Sequence, residues 1–272
     1  MSRRIGDLLV TLIVAIWTLA PLAWVVSLSL KPPALQNDGR FLPASPTLDN
    51  YTGLFTKPVF TSALGNSVGI SLVATGVSVL VAVLAAYAIA RLRFRGGRLV
   101  LGVALSLTMF PAIALVGPLF TLWTDIGLFD TWLGLIIPYV SFSLPLAIWL
   151  MTAFFRTIPW DLEESAQMDG ATRLQALVRV ILPVAAPGVV TTFLLTFLAC
   201  WGEFLFAISL TSTESSRTVP AALAFFTGDS EFQQPYGAIA AAALLVTVPV
   251  VILVLIGQRR IVAGLTSGAV KG

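Results

Sequence analysis

The chain has 272 residues, of which 57% are hydrophobic and 11% charged, with a mean hydropathy of +0.94. Ordinary soluble domains carry roughly 45–50% apolar and about 25% charged residues, so a soluble fold of this length has too little interior to hide so much apolar surface, and lipid must act as part of the solvent. The net charge of +3 and pI near 9.4 come from basic residues placed between apolar runs, which reads as membrane topology and not as a nucleic-acid surface. Histidine is absent, which removes the commonest metal ligand and general base. The single cysteine, Cys200, lies in an apolar run and founds neither a disulfide framework nor a CxxC metal pattern.

Six segments have the length and apolarity to cross a hydrocarbon core, which needs about 20 helical residues. They lie near residues 8–30, 60–90, 99–123, 132–155, 184–210 and 236–257. The expectation is an all-α fold: one polytopic membrane domain over residues 1–272, a bundle of six transmembrane helices. The first segment follows Arg3 and Arg4, but its apolar run is long for a signal peptide and no Ala-x-Ala site follows, so it reads as a retained span.

Basic residues set the orientation. With the N-terminus inside, Arg3, Arg4, Arg91, Arg93, Arg95, Arg98, Arg156, Arg173, Arg179, Arg259, Arg260 and Lys271 face the cytoplasm. Lys31, Arg40, Lys57 and Arg217 stay outside. Both termini are therefore expected in the cytoplasm of a cell-membrane protein. The cluster Arg91–Arg98 reads as a topology anchor at anionic lipid heads. In the outer loop, Thr47 or Asp49 is placed to cap a short helix.

Inside the spans, Glu203 is the one ionisable residue well within an apolar segment. A charge there costs on the order of 2.5–3.5 kcal/mol to insert. Two roles compete. With Trp201 and Phe204 it could line a solute path, or it could tie helices together through a polar contact; the second is favoured, because one acid does not make a sugar site. Asn66, also a path candidate, shares a face of the second span with Ser67 and Ser71, a pattern that more often packs helices. Pro21, Pro111, Pro118, Pro138, Pro145 and Pro249 lie in or near spans, where each removes a backbone donor.

Between the fourth and fifth spans, residues 156–183 form the longest inner loop and predict two short helices joined by a glycine. Pro159 suits a first turn, Asp161 a cap and Glu164 the third position of a capping box. Glu163 and Glu164 suit the positive end of the helix dipole. Gly170 suits a left-handed terminus. Thr172 with Gln175 repeats the capping pattern, and the second helix is expected to stop by Pro183. Small Ser165, Ala166, Gly170 and Ala171 would let a partner approach closely.

The run Glu164-Ser-Ala-Gln-Met-Asp-Gly170, nine residues, then Val180-Ile-Leu-Pro183 resembles the EAA loop of binding-protein-dependent ABC importer permeases, EAA-x3-G-x9-I-x-L-P, with Ser165 and Val180 as conservative departures. Asn66-Ser67, Ala86-Tyr87-Ala88-x-Ala90-Arg91, Met109-Phe110-Pro111, Trp201-Gly-Glu-Phe204 and the tail 263–272 are similar to the carbohydrate branch typified by MalG, and most similar to permeases of trehalose importers. Gly202 stands where that branch more often has Asn. The resemblance implies a sugar-importing permease with a cytoplasmic coupling helix. Its partners would be a second homologous permease, two ATPase subunits, an extracytoplasmic sugar-binding protein or lipoprotein, and membrane lipid. It implies ATPase-coupling roles for Glu163, Glu164, Ser165, Ala166, Met168, Asp169, Gly170, Ala171, Leu182 and Pro183, and tail contacts from Gly264, Leu265, Thr266 and Lys271. No GxxxxGK[ST] occurs, so ATP and magnesium belong to a partner and no cofactor is expected in this chain.

Three other classes fit less well. A membrane enzyme would need a polar cluster or Ser/His dyad, and an ion-coupled carrier inverted repeats and several buried acids. A permease for a non-sugar solute shares the EAA loop and lacks only the MalG-like motifs.

Overall fold

The computed structural model describes residues 2–92, 96–226 and 235–269, with the side chains of residues 6–257 among them apart from that of Arg98. Among the described residues every regular element is helical. In chain order these are α1 (Ser2–Ser29), α2 (Asp49–Phe55), α3 (Pro58–Arg91), α4 (Gly97–Leu107), α5 (Ile113–Asp125), α6 (Trp132–Thr157), α7 (Asp161–Met168) and α8 (Arg173–Ala176). A π turn over Leu177–Ile181 follows, then α9 (Leu182–Val184), α10 (Ala186–Trp201), α11 (Leu205–Leu210), α12 (Val219–Ala224) and α13 (Tyr236–Ala269). Helices dominate because a backbone in lipid must satisfy its own hydrogen bonds, which a single segment achieves only as a helix.

Four described helices have the length and composition to cross a membrane: Gly6–Ser29, Pro58–Arg91, Trp132–Thr157 and Tyr236–Gly257. A bent pair, Arg173–Val184 with Ala186–Trp201, could be a fifth. The expected third span, 99–123, is not one helix. It breaks between Leu107 and Ile113, where Thr108, Met109 and Phe110 close tight turns and Pro111 has no amide to continue the ladder. The expected fifth span, 184–210, is also interrupted. It starts at Ala186 after a 79° bend and breaks again at Gly202–Phe204. Pro187 cannot donate to the carbonyl four residues back, which accounts for the bend. Pro21, Pro118, Pro138, Pro145 and Pro249, by contrast, lie inside helices. The last helix runs on to Ala269, past the expected end near residue 257.

The contacts group the chain into two compact units, Met1–Ser62 with Ala222–Pro249 and Ala63–Ala221 with Val250–Gly272. In the first, α1 exposes apolar side chains from Leu8 to Val26, a surface that only lipid or another apolar surface covers favourably. Beyond its end the chain is tied by side chains. Asn50 Nδ2 donates to the carbonyls of Ser29 and Lys31 at 2.8 Å each, and Lys31, 1% exposed, donates to Asp38 Oδ1 and the Arg40 carbonyl at 2.6 Å each. The Lys31 ammonium also lies 5.3 Å from the Trp24 ring centroid. The hydrogen bond from Lys31 holds the Asp38 carboxyl below its ordinary value. The short helix expected near Asp49 is α2, though Leu48 is its N-cap and the Thr47 hydroxyl accepts from the Asp49 amide.

In the second unit α10 packs along α6, and α3 joins them. Helices in lipid gain little from hydrophobic transfer against one another, so close packing of small residues has to hold them. Ala82, Ala86 and Ala147 are fully buried beside Met151 and Phe155. At Gly188 an added Cβ would stand 2.4 Å from Phe154 Cγ, so only glycine lets α10 lie this near α6. Ser78 and Ser143 share a 2.8 Å hydrogen bond between α3 and α6. A second cluster gathers Ile70, Trp123, Leu135, Tyr139 and Phe206, where Trp123 Nε1 donates to the Gly134 carbonyl at 2.7 Å.

Candidate coupling site

The loop singled out in the sequence folds as a helix, a left-handed glycine and a second helix. Its first helix, α7, starts at Asp161 after Trp160 as N-cap, with no side-chain cap bond. The expected capping box at Asp161 and Glu164 does not form, because Asp161 is already the first helical residue and Pro159 lies before the cap. Asp161, Glu163 and Glu164 still occupy the first turn, where the helix dipole favours them. The helix ends in a Schellman motif: Ala171 N–H donates to the Ala166 carbonyl and Gly170 N–H to the Gln167 carbonyl, both at 3.0 Å. Gly170 has φ +88°, a conformation that penalises any Cβ.

The second helix opens with the expected capping box. Gln175 N–H donates to Thr172 Oγ1 at 3.3 Å, and Thr172 N–H donates to Gln175 Oε1 at 2.8 Å. It does not stop by Pro183. The amide of Leu182 reaches the Leu177 carbonyl five residues back, and this wider π turn carries the helix past Pro183 to Val184.

Two faces of this loop differ. Outward stand Glu164, Ser165, Asp169, Gly170, Leu174 and Met168, the last 89% exposed, with Leu162 beside them. Ala166 and Ala171 are half-buried, as is Leu182, while Pro183 is exposed. Inward, Glu163 is 3% exposed and its Oε1 accepts from the Tyr87 hydroxyl at 2.6 Å and from Gln167 Nε2 at 3.4 Å. Arg91, 4% exposed, places Nε 4.0 Å from Glu163 Oε2. Arg91 is therefore packed inside the protein and not at a lipid surface, contrary to the expectation for its cluster; Arg93, Arg95 and the Arg98 side chain lie outside the described residues. The adjacency of Glu163 and Glu164 hid their opposite orientations. The one available signal was spacing: Tyr87 and Arg91 are four residues apart, on one face of α3.

The path candidates are placed as follows. Asn66 Nδ2 donates to the carbonyls of Glu214 and Arg217 at 2.9 and 3.0 Å, and its Oδ1 accepts from Trp132 Nε1 at 3.0 Å. Trp201 is buried and stacks on Phe197 at 5.5 Å. Glu203 caps α11, accepting from Phe206 N–H at 2.9 Å and Ala207 N–H at 3.1 Å. Of the four, Phe204 alone is exposed. They do not converge on a common polar surface. Gly264, Leu265 and Thr266 lie on the helical backbone of α13; their side chains, and Lys271 altogether, lie outside the described residues.

Known proteins are similar to this chain over most of its length. Residues 78–267 match the family described as binding-protein-dependent transport system inner membrane component. The trehalose transport system permease protein SugB of Mycobacterium tuberculosis is 55% identical over 262 residues, 96% of this chain and 95% of that protein. The trehalose/maltose transport system permease protein MalG of Thermococcus litoralis is 38% identical over 272 residues, 99% and 98% of the two chains. A solved chain of a bacterial ABC transporter involved in import of the acidic polysaccharide alginate superposes with a TM-score of 0.80 at 26% identity, covering 95% of this chain and 97% of that one. A match of this extent, over a helical chain with an exposed helix–glycine–helix loop, is not confined to one motif: the protein belongs to the binding-protein-dependent transport family as a membrane-embedded transport subunit, not an enzyme.

Proposed function

We propose that this chain is one of two membrane-spanning subunits of an ATP-driven importer whose solute is a disaccharide of the trehalose or maltose kind. The observation that carries the reading is the 55% identity, over 96% of the chain, to a trehalose permease. The second permease is a homologue of this one, two ATPase subunits bind ATP and magnesium beneath the membrane, and an extracytoplasmic binding protein or lipoprotein delivers the sugar. The chain crosses six times with both termini cytoplasmic, the third and fifth crossings being made by interrupted helices. Such interruptions are tolerated in lipid where the open backbone meets protein or water.

The loop from α7 to Pro183 is the coupling element. Its exposed apolar side chains, Leu162, Met168 and Leu174, suit a groove on an ATPase subunit. Uptake of labelled trehalose, maltose and glucose in a strain deleted for this chain tests the reading. The expected result is loss of disaccharide uptake alone, restored by the intact gene. Unchanged disaccharide uptake alongside loss of phosphate or amino-acid uptake would overturn the sugar assignment. Uptake that survives ATP depletion would overturn the ATP-driven one.

A further inference from the structure

We infer that Tyr87, Arg91 and Glu163 are positioning residues for transport: they form the joint through which the α7–α8 loop grips the end of α3 and moves it. This rests on the coupling role proposed for that loop. One turn of α3 contacts the loop at four separate places. The Tyr87 hydroxyl lies 2.6 Å from Glu163 Oε1 on α7 and 3.2 Å from the Arg173 carbonyl at the start of α8. Arg91 Nη2 donates to the Ile158 carbonyl at 2.6 Å, in the segment entering α7. The Arg91 guanidinium also lies 4.6 Å from the centroid of the Trp160 ring. A loop that touched its own chain only through apolar packing could slide. This one is held by directional contacts at its entry, its first helix and its second.

The chemistry of the joint is costly unless it has a use. Arg91 and Glu163 are both buried, and removing two charges from water is repaid only by close, fully bonded pairing. Here the pairing is incomplete. Among the described residues Arg91 Nε and Nη1 and Glu163 Oε2 have no hydrogen-bond partner, and Nε and Oε2 stand 4.0 Å apart. A pair kept for stability alone would be expected to close. The directional bonds of Tyr87 and Arg91 fix the loop on α3, and the open charge pair beside them adds an attraction that persists when the Nε–Oε2 gap changes.

The test uses the whole complex, purified with its partner subunits and reconstituted in vesicles. An environment-sensitive label at Leu80→Cys, an exposed position midway along α3, reports movement of α3 whatever the solute; native Cys200 is buried. In the otherwise unaltered chain the label signal should change when ATP with vanadate is added. Tyr87→Phe and Glu163→Ala should keep the ATPase subunits at full stoichiometry, largely abolish that change, and lower solute moved per ATP by about tenfold. Glu163→Gln, which keeps an acceptor for Tyr87, should retain most of both. Were Glu163→Ala not to assemble, Tyr87→Phe, which removes a single oxygen, carries the test. A full label response in Tyr87→Phe, or losses that merely track reduced assembly, would overturn the joint. Transport of some other solute with the label response intact would overturn the sugar assignment and support the joint.

Discussion

Asp130 accepts a 2.6 Å hydrogen bond from the Ser216 hydroxyl, joining the turn before α6 to the segment after α11 across more than eighty residues of chain. The same carboxylate accepts from Thr213 Oγ1 at 2.6 Å, from the amides of Ser212 and Thr213 at 2.9 and 3.2 Å, and from Ser212 Oγ at 3.3 Å. Asp130 has φ +57°, a left-handed conformation that aspartate tolerates better than most residues. Partial burial pushes its pKa up, but the bonds from Ser216, Thr213 and Ser212 outweigh that and bring it down to about 2.

A lowered carboxylate pKa means the folded state binds its proton more weakly than the unfolded chain. The stability that Asp130 contributes is therefore fully present above pH about 4 and is lost as pH falls from about 4 towards 2. Asp130→Asn should lower stability near neutral pH by about 1 kcal/mol, allowing for solvent screening of a partly exposed group. As pH falls to about 2 and below, the variant and the native chain should converge. Thermal unfolding in detergent across that range checks both; a gap that widens towards low pH would contradict the assignment.

Gly170→Val should weaken coupling without preventing membrane insertion. Nothing lies within 4 Å of a Cβ built at Gly170, so the cost is backbone strain at φ +88° and not a clash within the chain. That strain is about 1 kcal/mol or more. Gly170→Asn, which tolerates a left-handed conformation, should be milder than Gly170→Val. The check is solute-stimulated ATPase activity and uptake in vesicles, with subunit stoichiometry; wild-type coupling in Gly170→Val would contradict the role given to the loop.

Gly188→Ala should destabilise the α6–α10 contact, since the new methyl would meet the Phe154 ring at 2.4 Å. Overpacking of this kind costs about 1–3 kcal/mol. Phe154→Leu should relieve part of the loss, and the double variant should be more stable than the sum of the singles predicts. Unfolding midpoints in detergent for the four proteins measure that difference.

Glu203→Gln should leave uptake near the native level, because the amide oxygen can still accept at the start of α11. Glu203→Ala removes both acceptors and should reduce stability by about 1 kcal/mol, as loss of a helix cap does. Loss of uptake in Glu203→Gln with normal assembly and normal basal ATPase activity would instead place this carboxylate on the solute path.

Reporter fusions test the six crossings. Fusions after Arg98, Gly170 and Gly272 should report the cytoplasm and one after Gly228 the outside, following the distribution of basic residues. A fusion after Gly170 reporting outside would refute the topology and the coupling site together.

Some features follow from local physics and were legible in the chain alone. Apolar composition requires lipid, and continuous apolar runs of about 20 residues cross it as helices. Gly170 is the residue able to end α7 with positive φ, and the capping of α8 needs only Thr172 and Gln175, three positions apart. Other features depend on groups brought together from far along the chain. Glu163 and Glu164 are chemically alike and adjacent, yet Tyr87 and Arg91 draw one of them inward. Asn66 looked available until the segment 214–217 and Trp132 occupied its amide. The breaks near Pro111 and Gly202 and the π turn before Pro183 were likewise decided above the local level. A proline removes one donor wherever it lies, as it does at Pro138 and Pro145 inside an intact α6. Whether the helix then kinks, widens or breaks depends on what neighbouring helices offer the backbone groups left free, and only tertiary packing sets that.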